Sequence, residues 1–222
     1  MNLKKLVTAA VCTMLMAAVA FTAGCGGEKK SDKKVLKVGM ECAYAPYNWS
    51  QTKADGGAVK IAGSNEYAYG YDVMMAKKLA DSMGADLEIH KIEWDGLAPA
   101  VVSGKIDAAI AGMSITSKRK ETVDFTKPYY YATVVALVKK DSEQAKAQSV
   151  ADLKGSVATS QLNTIWYDQI DQVPDVKKLP AIDTVPGMIV ALTSGKCNLI
   201  VTDIPTAKAA AFANPELTVL NF

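Results

Sequence analysis

From Val35 onward, the chain alternates short apolar runs with longer segments whose apolar residues recur at helical spacing. This alternation is typical of an α/β fold in which helices cover a largely parallel sheet. The clearest helix has Asp72 in position to cap its start and Gly84 just beyond its end. We predict strands at residues 35–39, 87–92, 108–111, 157–159, 198–202 and 218–221, and helices at residues 72–83, 97–103, 164–170, 184–194 and 205–214.

Two connecting segments shape the predicted organisation. Residues 50–64 are rich in Gly, Asp, Lys and Ala, so we expect an exposed hairpin or loop. The run 129–138 follows Pro128 and is β-like throughout, and we interpret it as a crossover between two lobes. The predicted lobes are lobe I at residues 35–130 and lobe II at residues 131–222.

The N-terminus has the pattern of an export signal, because Lys4 and Lys5 precede an uncharged apolar run at residues 6–21. This run is shorter than the roughly 20 residues that cross a membrane, and no second run of that length follows it. A multi-span membrane protein is therefore excluded. We predict a signal peptide at residues 1–24, followed by a flexible polar tether at residues 25–34.

The signal ends in Thr22-Ala23-Gly24-Cys25, which resembles the lipobox of bacterial lipoproteins. That resemblance implies that Cys25 is lipidated and anchors an outward-facing protein to the cell membrane. A large aliphatic residue is usual at the position of Thr22. The alternative is a cysteine that merely follows an ordinary cleavage site.

Composition excludes several classes of function. Cys42 and Cys197 are the remaining cysteines of the predicted body, and we predict two buried free thiols, with a disulfide as the alternative. His90 is the single histidine, so we expect no metal site, no cofactor and no histidine-dependent catalysis. Without the signal the chain has 23 basic and 23 acidic residues, and no basic stripe supports nucleic-acid binding.

One segment combines the groups that hold a small anion. Ser114, Thr116 and Ser117 supply hydroxyls, and the backbone before a short helix at residues 117–122 supplies N–H groups. Arg119 adds a planar set of donors that suits a carboxylate. The alternative is that Ser117 is only a helix cap and Arg119 only a solvated residue.

The order of motifs around this segment resembles the polar amino-acid-binding family of bacterial solute-binding proteins, the extracytoplasmic receptors of ABC importers. The resemblance implies a two-lobed, hinged, periplasmic-binding-protein-like (type II) fold that clamps an amino acid in the cleft and delivers it to a membrane permease. It also implies a monomer without cofactors or enzymatic activity. The motifs are Trp94-Asp95-Gly96-Leu97, Ser103-Gly104-Lys105-Ile106-Asp107, the run 111–119 and the run 123–130.

The resemblance assigns two charged residues to the ligand's backbone groups. Arg119 matches the arginine that pairs with the α-carboxylate, helped by Ser114 and by Thr164 from lobe II. Asp203 matches the acceptor of the α-ammonium, together with the Gly112 carbonyl. Considered alone, Asp203 is better explained as a helix cap before Pro205.

Three further residues match positions that contact the ligand side chain. Tyr44 and Trp94 match an aromatic pair that sandwiches it, although Trp94 considered alone is equally explained as a core residue. Glu41 matches an acid that faces the distal cation in lysine-binding and arginine-binding members. A cation there would gain ion pairing and cation–π attraction. We therefore favour a basic ligand, with glutamine as the alternative, and note that Ala111 replaces a frequent hydroxyl.

Related proteins continue for tens of residues beyond the position of Phe222. The resemblance implies that this stretch forms a second crossover and the last helices of lobe I, so we expect lobe I to expose apolar surface. A truncated gene, a fragment and a natural variant all remain open. Two other functions remain as alternatives, namely a dehydratase on the same fold, with Glu41 as its candidate acid or base, and a binding or sensor module that does not support transport.

Overall fold

The computed structural model describes residues 33–222, so the predicted signal peptide, Cys25 and most of the tether lie outside the described residues. Within this range, most elements begin and end close to the predicted positions. The strands are β1 (Val35–Met40), β2 (Ala43–Tyr44), β3 (Asn48–Gln51), β4 (Val59–Lys60), β5 (Tyr67–Tyr69), β6 (Asp86–Lys91), β7 (Ala108–Ala109), β8 (Val134–Lys139), β9 (Val157–Thr159), β10 (Lys177–Lys178), β11 (Leu199–Asp203) and β12 (Leu217–Leu220). The α-helices are α1 (Tyr71–Met83), α2 (Leu97–Val102), α3 (Ser117–Lys120), α4 (Ile165–Gln169), α5 (Val185–Thr193) and α6 (Ile204–Ala213).

Lobe I is built on a parallel sheet with the order β6-β1-β7. The side chains of β1 alternate between exposed and buried at its start, and Leu36, Val38 and Met40 point into the core. Helix α1 covers this core with Val73 and Ala76, both fully buried. The helical spacing also places Leu79, Ala80 and Met83 on this face. Ala80 is buried, but Leu79 and Met83 are 40% and 56% exposed, so the predicted buried face is only partly correct.

A second, antiparallel sheet with the order β2-β3-β5-β4 lies between β1 and α1 in the sequence. The predicted loop at residues 50–64 is partly correct, because residues 52–57 are exposed. The segments on either side of them form β3 and β4, which both pair with β5 rather than with each other, so the predicted hairpin does not form between them. These strands have two to four residues, too few to show a clear alternation of apolar and polar side chains.

Lobe II contains a five-stranded sheet with the order β10-β9-β11-β8-β12. The prediction of a largely parallel sheet is wrong for half of it, because β8 is antiparallel to both β11 and β12. Strand β8 enters directly from lobe I without a preceding helix of this lobe. No βαβ connection therefore forces it to be parallel to its neighbours.

The connection between the lobes is a strand only in its second half. Residues 134–139 form β8, whereas residues 129–133 pair with no strand, which corrects the prediction of one long β-like run. The three tyrosines at 129–131 suggested a strand because aromatic residues are common there. Two of them instead pack against other aromatic rings, and Tyr131 is 82% exposed. We call residues 129–133 the crossover segment.

The buried apolar residues of the described range form three clusters, one in lobe I and two in lobe II, and one of the lobe II clusters also includes Tyr44 and Tyr47 of lobe I. The two remaining cysteines lie in different clusters. Cys42 packs in the lobe I cluster with Val38 and Ile89, and Cys197 packs in a lobe II cluster with Leu192. Both are free and buried, which confirms the predicted thiols, and burial raises the pKa of Cys42 to about 12. Among residues 33–222 there is no helix with the length and apolar character needed to span a membrane.

Candidate functional site

A small cavity lies between the two lobes, and most of the predicted ligand-binding residues line it. Its volume is about 10 Å³, which is room for one water molecule but too little for any amino acid. The lining residues are Tyr44, Trp94, Gly112, Ser114, Arg119, Gln161, Thr164 and Trp166. Glu41 and Asp203 complete the predicted set, and each touches a residue of this lining. The side chains must therefore separate before a ligand of that size can enter.

Arg119 holds the two walls of the cavity together. Its Nη1 donates to the carbonyl oxygen of Ser114 at 2.7 Å, and its Nη2 donates to that of Asn163, in lobe II, at 2.8 Å. The guanidinium also lies 5.4 Å from the ring centre of Trp94, within cation–π range. Burial lowers the pKa of Arg119. The alternative of a merely solvated Arg119 is therefore wrong.

The start of helix α3 differs from the simplest interpretation of the sequence. Thr116, not Ser117, is the cap, and its hydroxyl accepts a hydrogen bond from the Arg119 backbone N–H at 3.1 Å. The helix is a single turn, ending at Lys120 rather than at the predicted residue 122. The cap fixes the backbone of Arg119 directly and so directs its side chain across the cleft.

Asp203 is fully buried at the end of β11, where Thr206, Tyr44 and Tyr47 interact with its carboxylate. Its Oδ1 accepts from the Thr206 backbone N–H at 3.0 Å, which makes it the cap of α6. Its Oδ2 accepts from the hydroxyl of Tyr44, in lobe I, at 2.5 Å. Burial, together with the contact with Asp203, raises the pKa of Tyr44. The helix-cap interpretation is thus correct for one oxygen, while the other faces lobe I.

Glu41 lies at the opposite side of the lining and is only 4% exposed. Its two carboxylate oxygens are 3.2 and 3.0 Å from the amide nitrogen of Gln161, which also donates to the Asp183 carbonyl oxygen at 3.0 Å. Burial raises the pKa of Glu41 to about 7, although the Gln161 hydrogen bond opposes this effect and nearby Glu93 adds to it. A carboxylate in this place is a poorly compensated negative charge.

The Gly112 backbone sits between two tyrosines. Its N–H donates to the Tyr129 hydroxyl at 2.9 Å, and its φ of +62° is one that glycine adopts without strain. A Cβ at this position would lie 2.9 Å from the Tyr44 ring. Glycine is therefore required both by the backbone angle and by the space.

Sequence reasoning missed three lining or bridging residues: Gln161, Asn163 and Trp166. The carbonyl of Asn163 accepts from Arg119 and, at 3.4 Å, from the Trp94 indole, while its side chain donates to Asp95 at 2.9 Å. Asn163 has a φ of +53°, and asparagine tolerates that region better than most residues. Asn163 and Gln161 flank Leu162 directly before Thr164, whose hydroxyl donates to the Gln161 carbonyl at 2.7 Å.

A larger cavity of about 580 Å³ adjoins the small one and shares Tyr44, Gly112, Ser114 and Trp166 with it. It runs beside β7, which is the edge strand of the lobe I sheet, and its lining is mostly apolar. Val102, on the neighbouring helix, is 61% exposed. This surface agrees with the expectation of exposed apolar area on lobe I.

The part of the chain that the structure describes contains no group of three or more His, Cys, Asp or Glu side chains able to hold a metal ion. The chemistry of the small cavity rests instead on one cation, Arg119, and two carboxyl groups, Glu41 and Asp203. These three charges are held by residues of both lobes. The arrangement suits binding of a small polar molecule rather than covalent chemistry.

The two-lobed architecture and its interlobe cleft define a type II solute-binding fold. Among solved structures, an ancestral arginine-binding protein bound to glutamine is 31% identical, with a TM-score of 0.73 over 86% of this chain and 79% of that one. A model of the bacterial extracellular solute-binding proteins, family 3, matches residues 36–178. The chain belongs to this family.

Two curated relatives show the extent of the similarity. A probable histidine-binding protein of Campylobacter jejuni is 31% identical over 182 residues, which are 82% of this chain. The match spans 65% of that relative's own length. The ABC transporter arginine-binding protein 1 of Escherichia coli is 29% identical over 218 residues, which are 98% of this chain and 78% of the relative.

Proposed function

We propose that this chain is an extracytoplasmic receptor that binds a polar or basic amino acid between its lobes and delivers it to the permease of an ABC importer. A lipid on Cys25 would anchor it to the membrane. The family and the relatives named for arginine and histidine binding support the ligand class. Because these relatives are named as binding proteins, they also support the prediction that the chain is not an enzyme.

The observation that carries the proposal is the pairing of Arg119 and Asp203 with groups that a zwitterion can replace. Arg119 now donates to two carbonyl oxygens, and an α-carboxylate would offer it a stronger, charged acceptor. Asp203 accepts from a neutral phenol, and an α-ammonium would offer it a charged donor. Both charges are costly to bury without partners, so the exchange favours a ligand that carries both opposite charges.

Glu41 supports a basic side chain on that ligand. A Lys or Arg side chain reaching Glu41 would compensate a carboxylate that, among residues 33–222, has the Gln161 amide as its only side-chain hydrogen-bond partner. Both N–H groups of that amide are directed to Glu41 and Asp183, which leaves its oxygen as an acceptor for a donor-rich ligand. A glutamine side chain would supply donors without charge and remains the alternative.

Thermal unfolding of the purified protein with each common amino acid in excess tests the ligand class. Ligand at about one hundred times its dissociation constant adds about 2.7 kcal/mol to the free energy of unfolding, which shifts the midpoint by several degrees. Largest shifts with arginine or lysine support the proposal. A shift with glutamine alone would exclude the basic ligand, and no shift with any amino acid would contradict the receptor function.

Anchoring and delivery need separate experiments. Cys25→Ser should move the protein from the membrane fraction to the soluble fraction while leaving amino-acid binding unchanged. Uptake of labelled amino acid in cells with and without the chain tests delivery. Binding without any change in uptake would favour the non-transporting sensor.

A further inference from the structure

A buried chain of hydrogen bonds joins the crossover segment to the candidate ligand site. The Tyr129 hydroxyl, at the start of that segment, donates to Asp72 Oδ1 at 2.7 Å and accepts from the Gly112 N–H at 2.9 Å. Asp72 Oδ2 accepts from the Asn48 amide at 2.7 Å, and Asn48 Oδ1 accepts from the Cys42 N–H at 2.7 Å. The residue before Cys42 is Glu41. This series of hydrogen bonds therefore contacts the backbone on both sides of the candidate site.

Asp72 is available for this role because it does not cap its helix. The prediction of a cap is wrong, since α1 begins at Tyr71 after Gly70 and has no side-chain cap. The Asp72 carboxylate instead points inward and is fully buried. Burial raises its pKa to about 6, even though the hydrogen bonds from Tyr129 and Asn48 oppose that effect. Burying a carboxylate that has only neutral donors costs free energy, and its two hydrogen bonds fix the direction of both donors.

These hydrogen bonds restrict the backbone of Gly112. Its N–H is held by Tyr129, its φ is +62°, and its Cα lies against the Tyr44 ring, so the backbone of this residue has little freedom. The carbonyl of the same residue is the group proposed above to accept the ligand α-ammonium. Displacing the Tyr129 hydroxyl would release the Gly112 backbone and change where that carbonyl points.

We infer that Tyr129, oriented by Asp72, is a positioning residue that holds Gly112 for the ligand and connects this contact to the segment joining the lobes. The inference rests on the proposed amino-acid site for its effect on binding. Its structural half, control of Gly112 by Tyr129, does not depend on the identity of the ligand.

The first test compares Tyr129→Phe with Tyr131→Phe, the same change at an 82% exposed position of the same segment. L-Arginine is titrated into each variant by calorimetry, below its unfolding transition. We expect Tyr129→Phe to weaken binding at least tenfold and Tyr131→Phe to leave it within twofold. Equal affinities in two folded variants would overturn the inference.

A second test separates positioning from general damage to the fold. Asp72→Asn alone turns one oxygen into a donor that faces either Tyr129 or the Asn48 amide, so affinity should fall. Adding Asn48→Asp makes every donor in this series of hydrogen bonds face an acceptor again. Affinity should then return to within about threefold of that of the unsubstituted protein. Failure of the exchanged pair to recover binding in a folded protein would contradict the role of Asp72.

The Gly112 amide resonance gives a readout that needs no ligand. In Tyr129→Phe we expect a changed shift and faster hydrogen exchange at Gly112, with neither change in Tyr131→Phe. An unaltered Gly112 amide would overturn the inference even if arginine binding weakened. If the unsubstituted protein bound no amino acid, the proposed function would fail, while the amide experiment would still decide whether Tyr129 controls Gly112.

Discussion

Replacing Glu41 by glutamine should make the protein more stable at neutral pH. The buried carboxyl has a pKa raised from 4.5 to about 7, so the folded state favours the protonated, neutral form more than the unfolded chain does. The folded protein therefore binds more protons between these two values, and its free energy of unfolding falls as the pH rises from about 4.5 to about 7. Above that range the Glu41 carboxyl lowers the free energy of unfolding by a constant amount.

The size of this effect follows from the pKa difference. A rise from 4.5 to about 7 corresponds to about 3 kcal/mol of lost stability at pH 8 relative to acid. Glu41→Gln keeps an oxygen that accepts from Gln161 but never becomes charged. Its stability advantage over the unsubstituted protein should therefore be near zero at pH 4 and approach about 3 kcal/mol at pH 8.

The assay is urea unfolding without amino acid at a series of pH values between 4 and 8.5. The difference between the two proteins is the useful quantity, because it cancels the titration of other groups such as Asp72. Glu216→Gln, which removes one carboxylate from an exposed residue, is the control for the loss of a charge as such. A constant difference for Glu41→Gln would refute the claim that burial governs this carboxyl.

Three substitutions, Glu41→Gln among them, test the ligand site. Glu41→Gln should weaken binding of arginine far more than binding of glutamine, and equal losses in calorimetry would contradict a basic ligand. Arg119→Ala should lower amino-acid affinity at least a hundredfold because the main partner of the ligand carboxylate is lost. Lys118→Ala, on the exposed side of the same helix, is the control and should leave affinity unchanged. Unchanged affinity in Arg119→Ala would refute the site. Gly112→Ala should destabilise the fold by about 1–3 kcal/mol and weaken binding. Gly104→Ala has a similar positive φ but no atom within 4 Å, so it isolates backbone strain and should spare binding.

Periodicity was sufficient to predict the bounds of most long elements, but only part of the buried face of α1, where Leu79 and Met83 are exposed. Strand β1 and helix α1 lie within one or two residues of the predicted bounds, because several apolar residues at regular spacing define each of them. The short strands β2 to β5 were missed, since their order depends on pairing partners that the local sequence does not specify. The antiparallel placement of β8 likewise depends on how the chain enters lobe II.

The candidate site was predictable where a residue type carries its own chemistry. Arg119 was identified from its carboxylate-binding chemistry and from the family resemblance, whereas Glu41 was identified from the resemblance alone. Gln161 and Asn163 escaped notice because amides are common on loops, and Asn163 acts mainly through its backbone carbonyl. Asp72 was misinterpreted for a different reason, since a carboxylate in a first helical turn is usually a cap, and only the packing of Tyr129 and Asn48 reveals its other role.

The small size of the cavity between the lobes has a kinetic consequence. A space of about 10 Å³ admits no amino acid, so each association event has to wait until Arg119 releases Asn163 and the walls part. Observed association rates should therefore rise with amino-acid concentration and then level off at the rate of this release. Stopped-flow fluorescence of Trp94 and Trp166, which both line that space, would measure the plateau and so time the opening of the cleft directly.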